Sequence, residues 1–150
     1  MNYVTSEEFY YSQNGEWVQV DENLVTAGLT DFRLNQLGEI LFLDLPEAGK
    51  LVRQGEVFFS IESVKLIHDF ASPVTGTIIE VNQDLYDNPN IMNDDPFNDG
   101  WIIKIEMGNE NDLAILMRSA EYRQQIGLKT WSLQSTGFFE QTLRCEPLNG

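Results

Sequence analysis

The chain has 150 residues, of which 42% are hydrophobic, and a formal net charge of −15 at pH 7. This length predicts a single domain with its own core, and the hydrophobic content excludes a disordered chain. The negative charge argues against nucleic acid or an anionic membrane surface as a partner. It suits docking on basic patches of other proteins, and equally suits simple solubility.

The sequence contains few features of targeting, redox chemistry or catalysis. A single cysteine, Cys145, excludes an internal disulfide framework and a cysteine-rich metal site. The N-terminus lacks the basic and apolar regions of a signal peptide, and no apolar run reaches the ~18 residues of a membrane span. We therefore expect a cytoplasmic protein. With one histidine and no P-loop or Ser-His-Asp order, we expect no enzymatic activity of its own.

The first part of the chain predicts strands and one helix. Thr30 is a suitable N-cap and Gly38 a suitable stop for a helix over residues 31–37. A turn at 21–23 would join the first two strands as a hairpin. The strands predicted from alternating or continuous apolar residues cover 16–20, 24–28 and 40–45.

An internal repeat relates the middle of the chain to a later part. Residues 38–43 resemble residues 76–81, and residues 57–62 resemble residues 101–106. Each copy consists of a strand, a turn-rich link and a second strand. Two such copies would bury one shared core when they fold face to face.

Between the two copies, the stretch 57–70 carries Lys65 at its midpoint. Two strand-like runs meet there without Gly or Pro, and the turn cluster 72–76 follows, which predicts a hairpin with Lys65 at its tip. A lone cation between apolar runs is costly unless it is exposed. Because the chain has only four lysines, Lys65 is a candidate for modification.

The last part of the chain predicts a loop, a helix and an extension. Residues 82–100 are rich in Asn, Asp, Pro and Gly and predict a loop. Asn111 or Asp112 can cap a helix with an apolar face made of Leu113, Leu116 and Met117. Ser119 begins either a second helical turn or a continuation of that helix to Ile126. Residues 128–150 are too apolar for a free tail. We favour packing on the domain over self-association or docking of a partner.

Several blocks of the sequence resemble the glycine cleavage system H protein family. Glu62-Ser-Val-Lys65 and Asp69, followed by the 72–76 turn, resemble its lipoyl-attachment segment. Matching blocks lie in register on both sides and span roughly residues 8–126. They include Gly15-Glu-Trp-Val18, Gly28-Leu-Thr-Asp31, Gln36-Leu-Gly-Glu39, Leu45-Pro-Glu-Ala-Gly49, Asn88-Pro-Asn90, Asp99-Gly-Trp101 and Ser119-Ala-Glu-Tyr122.

This resemblance implies a mainly β fold. The family forms a barrel-sandwich hybrid of two pseudo-symmetric antiparallel sheets, with a short helix in the N-terminal half and a C-terminal helix. In this chain the lipoyl domain would cover residues 1–127, and residues 128–150 would be a C-terminal extension beyond the family's usual end.

The resemblance also implies a cofactor and a set of partners. Lipoic acid would be attached in amide linkage to Lys65 by a lipoate–protein ligase or by a lipoyl or octanoyl transferase. The arm would carry an aminomethyl group and electrons between three enzymes. These are a pyridoxal-phosphate glycine decarboxylase, an aminomethyltransferase and a dihydrolipoyl dehydrogenase.

Site residues follow from the resemblance at matching positions. Glu62, Asp69 and Gly76 would take part in ligase recognition. Glu16 and Asp69 match two carboxylates that line a cleft for the amine of the loaded arm, and Asn14 takes the place of a serine there. An ammonium group held against a protein needs such anionic or hydrogen-bonding partners.

Two departures from the family pattern leave alternatives open. Gly15 replaces a histidine, and His68, which replaces a small serine, either hydrogen-bonds the arm near neutral pH or is a surface residue without a role. A second hypothesis therefore keeps the lipoyl carrier but changes its cargo, to sulfur oxidation with a heterodisulfide-reductase-like complex or to lipoyl relay. A third hypothesis, of another class, is an unmodified protein-interaction module.

Overall fold

The computed structural model describes residue 3 and residues 5–127, which form two antiparallel β-sheets and a few short helices. The strands are β1 (Phe9–Tyr11), β2 (Glu16–Asp21), β3 (Leu24–Leu29), β4 (Ile40–Leu43), β5 (Leu51–Val52), β6 (Val57–Ser63), β7 (Ile67–Ala71), β8 (Gly76–Val81) and β9 (Ile103–Met107). Six strands pair in the order β1-β2-β3-β9-β8-β5, and the other three pair in the order β4-β6-β7.

The described residues contain four α-helices, α1 (Asp31–Leu37), α2 (Asp84–Asp87), α3 (Ile91–Asp94) and α4 (Ser119–Gln125). Helix α1 begins where the Thr30 hydroxyl accepts the Arg33 N–H, and it ends at Gly38, whose φ of 76° is readily adopted by glycine. This is the predicted helix with the predicted cap and stop.

One hydrophobic core joins the two sheets. Val25 and Ile105 enter it from the six-stranded sheet, whereas Ile61 and Phe70 enter it from the three-stranded sheet. A smaller aromatic cluster of Phe9, Tyr11, Trp17 and Tyr122 packs α4 against β1 and β2. The predicted mainly β fold of two antiparallel sheets, with a short helix in the N-terminal half and a C-terminal helix, is therefore confirmed.

The internal repeat corresponds to two similar strand pairs. In one copy β4 pairs with β6, and in the other β8 pairs with β9. Both pairs have a β-bulge at the same position of the repeat, at Leu41 between Ile40 and Phe42 and at Ile79 between Ile78 and Glu80. Each copy contributes to a different sheet, so the repeat forms the two halves of the sandwich.

The prediction of a loop throughout residues 82–100 is wrong, because α2 and α3 lie within it. Leu85 and Met92, both fully buried, anchor these helices in the core. The Asn82 side chain also donates to the carbonyls of Asp99 and Trp101, which closes the segment on itself. Because the segment is mostly polar, these two buried apolar residues, which lie seven positions apart, do not show as a helical pattern in the sequence.

Of the two alternatives for residues 111–126, the structure contains a second, separate helix and no continuous one, and the expected α-helix from residue 111 is wrong. Glu110–Ile115 form a 3-10 helix, and the α-helix begins only at Ser119. Between them Met117 forms a backbone bridge with Tyr11, which requires extended backbone and so interrupts the helix. The predicted strands 40–45 and 101–106 are likewise observed as Ile40–Leu43 and Ile103–Met107.

No helix in the part of the chain that the structure describes is long and apolar enough to cross a membrane. The predicted packing of residues 128–150 lies outside the described residues, as does Cys145.

Candidate functional site

The hairpin of β6 and β7 ends in a tight turn that presents Lys65. The Ser63 N–H and hydroxyl both donate to the Leu66 carbonyl, at 3.0 and 2.8 Å, and the Ser63 hydroxyl oxygen accepts the N–H groups of Lys65 and Leu66. The Val64 N–H donates to the Glu39 carbonyl and so ties the turn to the residue before β4. The backbone and one serine fix the turn, and the Lys65 side chain is exposed.

The surface around this turn is apolar. The Lys65 stem lies near Gly38, where an added Cβ would be 3.6 Å from Lys65 Cε. Six side chains of the small sheet and its turn are between 38% and 59% exposed: Leu41, Phe42, Val57, Val64, Leu66 and Ile67. Glu62, also exposed, pairs across the strands with Phe42 and Ile67. Exposed apolar surface of this kind is typical of a place where another protein docks.

A cleft of about 960 Å³ begins beside this hairpin. Strand β7, helix α1, the loop 13–15 and the end of α4 form its walls. Amide side chains dominate its polar lining, at Gln13, Asn14, Gln36, Gln124 and Gln125. Of the described residues that line the cleft, Arg33 alone carries a permanent positive charge.

A buried hydrogen-bonded network lies in the wall of the cleft. Arg33 Nε donates to His68 Nδ1 at 2.9 Å, which makes Nδ1 the unprotonated nitrogen of the ring. His68 Nε2–H then donates to Glu16 Oε2 at 3.2 Å. His68 and Glu16 are each 1% exposed. The neutral imidazole therefore links a guanidinium at the cleft to a carboxylate behind it.

Glu16 is held from several directions. Its carboxylate also accepts the Ser12 hydroxyl at 3.0 Å and the Ala71 N–H at 3.3 Å. It therefore lies behind His68 and is not at the cleft surface. Asp69, the next residue after His68, points to the opposite side of β7, where it accepts the Ser60 hydroxyl at 2.9 Å and is exposed. Of the two carboxylates named from the sequence, Glu16 of β2 therefore lies behind β7, whereas Asp69 lies on the exposed side of β7 and lines the cleft.

Arg33 is partly buried. Burial lowers the pKa of its guanidinium, and the Glu16 carboxylate acts in the opposite direction. Its Nη1 donates to the Gln36 side-chain oxygen at 3.1 Å. The chain approaches it closely at Gly15, where φ is +89° and an added Cβ would lie 2.7 Å from Arg33 Cβ. A glycine at this position gives Arg33 the space that it occupies.

The remaining predicted residues are placed as follows. Asn14 is exposed at the cleft, and its N–H donates to the Ser12 hydroxyl. Gly76 lies in β8 of the larger sheet, where an added Cβ would be 2.0 Å from the Glu106 carbonyl oxygen. The close approach of β8 and β9 therefore requires glycine at this position, independently of any role in ligase recognition.

Helix α4 closes one side of the cleft. The Tyr122 ring stacks on Tyr11 with centroids 4.6 Å apart, and its hydroxyl lies 2.6 Å from the Thr30 hydroxyl at the cap of α1. Burial raises the pKa of Tyr122 to about 12. Tyr122 thus joins α4, β1 and α1 around the cleft.

Arg33 and Tyr122 were not expected as site residues from the sequence. His68 is buried in the network, so the expectation of a histidine on the hairpin surface is wrong. One signal was present for Arg33. A basic residue in the helix after Thr30 is unusual in so acidic a chain, and Gly15 lacks the side chain that would exclude it. No pattern in the sequence pairs residue 33 with residue 68.

The fold and this site define a class of protein, the small β-sandwich carrier domain that presents one lysine on a hairpin between two similar halves. Comparison with known families specifies which one. Residues 9–128 match the family model Glycine cleavage H-protein, and the chain belongs to this family. Proteins of this family are non-catalytic lipoyl carriers of the glycine cleavage system.

Individual relatives support this family assignment. The chain is 46% identical over 118 residues to the glycine cleavage system H protein of Coprothermobacter proteolyticus, covering 78% of this chain and 93% of that one. It is 38% identical over 120 residues to the H protein of Staphylococcus epidermidis, covering 80% and 95%. The crystal structure of an H protein from Mycobacterium marinum is similar, with a TM-score of 0.73 and 30% identity over 82% of this chain and 99% of the other.

Proposed function

We propose that this protein is a lipoyl swinging-arm carrier and that Lys65 is the attachment residue. The observation that carries the proposal is the exposed lysine on a turn that backbone hydrogen bonds and one serine fix without using its side chain. A ligase or transferase reaches such a lysine without unfolding the domain. The apolar surface around the turn, with Glu62 beside it, supplies a face for that enzyme.

The cleft is suited to hold the arm. Lysine and lipoyl chain together form about a dozen bonds, on the order of 15 Å when extended. Strand β7 rises by about 3.3 Å per residue, so the level of Asp69 lies roughly 13 Å from the tip. An arm folded back along β7 therefore ends among the cleft residues around Arg33, His68 and Asp69.

The bound group would supply a dithiolane that accepts electrons and a carried fragment. The residues of this chain would hold and shield it. Amide side chains at the cleft can hydrogen-bond the arm, and the walls formed by α1 and α4 limit the access of water. The buried network keeps the wall rigid, because each nitrogen of His68 already has a partner.

Family membership favours an aminomethyl group as the cargo. The partners would then be the pyridoxal-phosphate decarboxylase, the aminomethyltransferase and the dihydrolipoyl dehydrogenase of glycine cleavage. Asp69 is the exposed carboxylate at the cleft that could hold the ammonium group. Under this hypothesis Asp69→Ala raises the hydrolysis rate of the loaded arm, whereas an unchanged lifetime favours another cargo.

A second candidate keeps the arm and changes the cargo, as in sulfur oxidation or lipoyl relay. The observation that favours it is the composition of the cleft wall, where a guanidinium faces the cleft and Glu16 lies behind His68. A cleft built around an ammonium group would place both carboxylates toward it.

The test of the carrier function is the intact mass of the full chain from a lipoate-competent host, with peptide mapping across residues 54–81. One lipoyl increment on Lys65 is expected. Lys65→Arg, which keeps the charge, should lose the increment, whereas the exposed control Lys50→Arg should retain it. An unmodified Lys65 in the presence of a competent ligase would overturn the proposal in favour of an interaction module.

A further inference from the structure

One face of the three-stranded sheet is apolar and left uncovered by the part of the chain that the structure describes. Phe42 of β4 pairs with Glu62 of β6, which pairs with Ile67 of β7, so these three side chains lie side by side on one face. Val57 pairs with Ala71, which points to the same side of β7 as Ile67 does. Phe42, Val57 and Ile67 are between 55% and 58% exposed. We call this surface the outer face, and apolar exposure of this extent on one face marks a place where other chain packs.

The last described residues lie at the edge of the outer face. Ile126 and Gly127 line the cleft together with Val57 and Ile67. Gly127 has a φ of +83° and donates its N–H to the Gln124 carbonyl, which ends α4 and turns the chain. Residues 128–150 therefore begin beside the apolar side chains of the outer face.

The composition of residues 128–150 matches such a surface. Two basic residues, Lys129 and Arg144, balance two acidic ones, Glu140 and Glu146, so the segment has no net formal charge and residues 1–127 carry the whole −15. Its large apolar residues are Trp131, Leu133, Phe138, Phe139 and Leu143. Burial of these side chains is favourable, and an uncharged segment meets no net repulsion from the acidic domain.

The dimensions favour a contact within one chain. The outer face measures about 10 Å across its three strands and about 23 Å along the seven residues of β6. Twenty-three residues reach about 35 Å even as a helix, and farther when extended. A tethered segment is present at an effective concentration on the order of millimolar. A second copy would instead bring another body of net charge −15 to the same surface, which repels it.

We propose that residues 128–150 dock on the outer face of their own chain, with their apolar side chains against Phe42, Val57 and Ile67. The contact goes beyond the carrier function and does not depend on modification of Lys65. The turn that carries Lys65 adjoins the outer face, since it connects β6 to β7. A ligase that approaches Lys65 therefore meets the docked segment and displaces part of it.

The experiment uses the single cysteine of the chain, which lies within the segment. A nitroxide is attached to Cys145 of the full-length, 15N-labelled protein with unmodified Lys65, and amide signals are compared before and after reduction of the nitroxide with ascorbate. The signals of Phe42, Val57 and Ile67 should be lost in the nitroxide state. Leu51 and Ile79, which are exposed apolar residues of the larger sheet, should keep theirs.

Three variants locate the contact. Phe42→Ser with Ile67→Ser removes exposed side chains and should restore the signals of Val57 and Glu62. Leu51→Ser with Ile79→Ser is the matched control pair and should leave the loss unchanged.

Phe138→Ser with Phe139→Ser changes only the segment and should restore the same signals. This variant leaves residues 1–127 as they are, so it decides even where the variant of the outer face does not fold.

A mixture separates contact within one chain from contact between two. In a mixture of 15N-labelled Cys145→Ser protein with unlabelled, spin-labelled protein, the signals of the outer face should persist. Their loss in the mixture would overturn the proposal in favour of a second copy as the occupant.

Two other results would overturn the proposal as well. One is a nitroxide that leaves the outer face unaffected, and the other is a signal loss that persists in Phe138→Ser with Phe139→Ser. Failure of the carrier function is seen separately, as the absence of the lipoyl mass increment on protein from a lipoate-competent host.

Discussion

His68 Nε2 lies 3.2 Å from Glu16 Oε2, and neither residue is more than 1% exposed. The contact joins β7, which follows the modification turn, to β2 of the larger sheet. The side of the cleft is thereby fixed to the core of the domain through polar groups, each of which has a partner.

Loss of the Glu16 carboxylate should destabilise the protein. Glu16→Ala leaves the His68 N–H, the Ser12 hydroxyl and the Ala71 N–H without their acceptor, and should lower the free energy of unfolding by about 3 kcal/mol. Glu16→Gln keeps one acceptor oxygen and should cost about half as much. The exposed Asp69→Ala is the control and should change stability by less than about 1 kcal/mol. Urea denaturation measures all three, and equal losses at positions 16 and 69 would contradict the buried network.

Lys65→Ala should leave the fold intact. The turn is closed by Ser63 and the backbone, so the free energy of unfolding should change by less than about 0.5 kcal/mol while lipoylation and carrier activity are lost. Ser63→Ala is the matched variant, since it keeps the lysine but removes the hydroxyl that accepts the Lys65 and Leu66 N–H groups. Circular dichroism, urea denaturation and intact mass provide the measurements, and carrier activity retained by Lys65→Ala would disprove the assignment.

Gly15→Ala should lower the free energy of unfolding by more than backbone strain alone would. Both Gly15 and Gly49 have positive φ, +89° and +94°, but only at Gly15 would a Cβ collide with another residue, 2.7 Å from Arg33 Cβ. Strain alone should destabilise Gly49→Ala by about 1 kcal/mol, and Gly15→Ala should lose roughly 1–2 kcal/mol more. The NMR resonance of Arg33 Nε should shift in Gly15→Ala only. Equal stability losses in Gly15→Ala and Gly49→Ala would show instead that α1 can shift away from the added methyl group without loss of stability.

The protein should lose stability above pH 10. The pKa of Tyr122 is raised from 10.0 to about 12 by burial, so its folded-state pKa exceeds that of the unfolded chain. The stabilisation of the protonated phenol is fully present below pH 10 and is lost progressively as pH rises to about 12. Tyr122→Phe should flatten this part of the stability curve, at a cost of about 1 kcal/mol at neutral pH for the hydrogen bond to Thr30. Tyr11, whose pKa burial also raises, should account for the remaining slope.

The sequence predicted the parts of the fold that depend on local patterns. The cap at Thr30, the stop at Gly38, the strands around the 21–23 turn and the paired repeat all rest on residue types at short spacing, and the structure contains each of them. The two short helices within 82–100 were missed because their stability comes from Leu85 and Met92 reaching the core. Such tertiary contacts leave no local pattern.

The site was less predictable than the fold. Lys65 was recognisable because a lone lysine between apolar runs needs an exposed turn. The arrangement around His68 was not, because residues 16, 33 and 68 meet only when β2, α1 and β7 come together. The two faces of β7 also separate His68 from Asp69, although they are neighbours in the chain.

The walls of the cleft come from distant parts of the sequence, since Asn14 and Gly15 line it together with Tyr122 and residues 124–127. During synthesis from the N-terminus, the β6–β7 hairpin is complete at Ala71, about fifty residues before α4 leaves the ribosome. The segment that carries the acceptor lysine is therefore synthesised well before α4, the last of the four walls of the cleft.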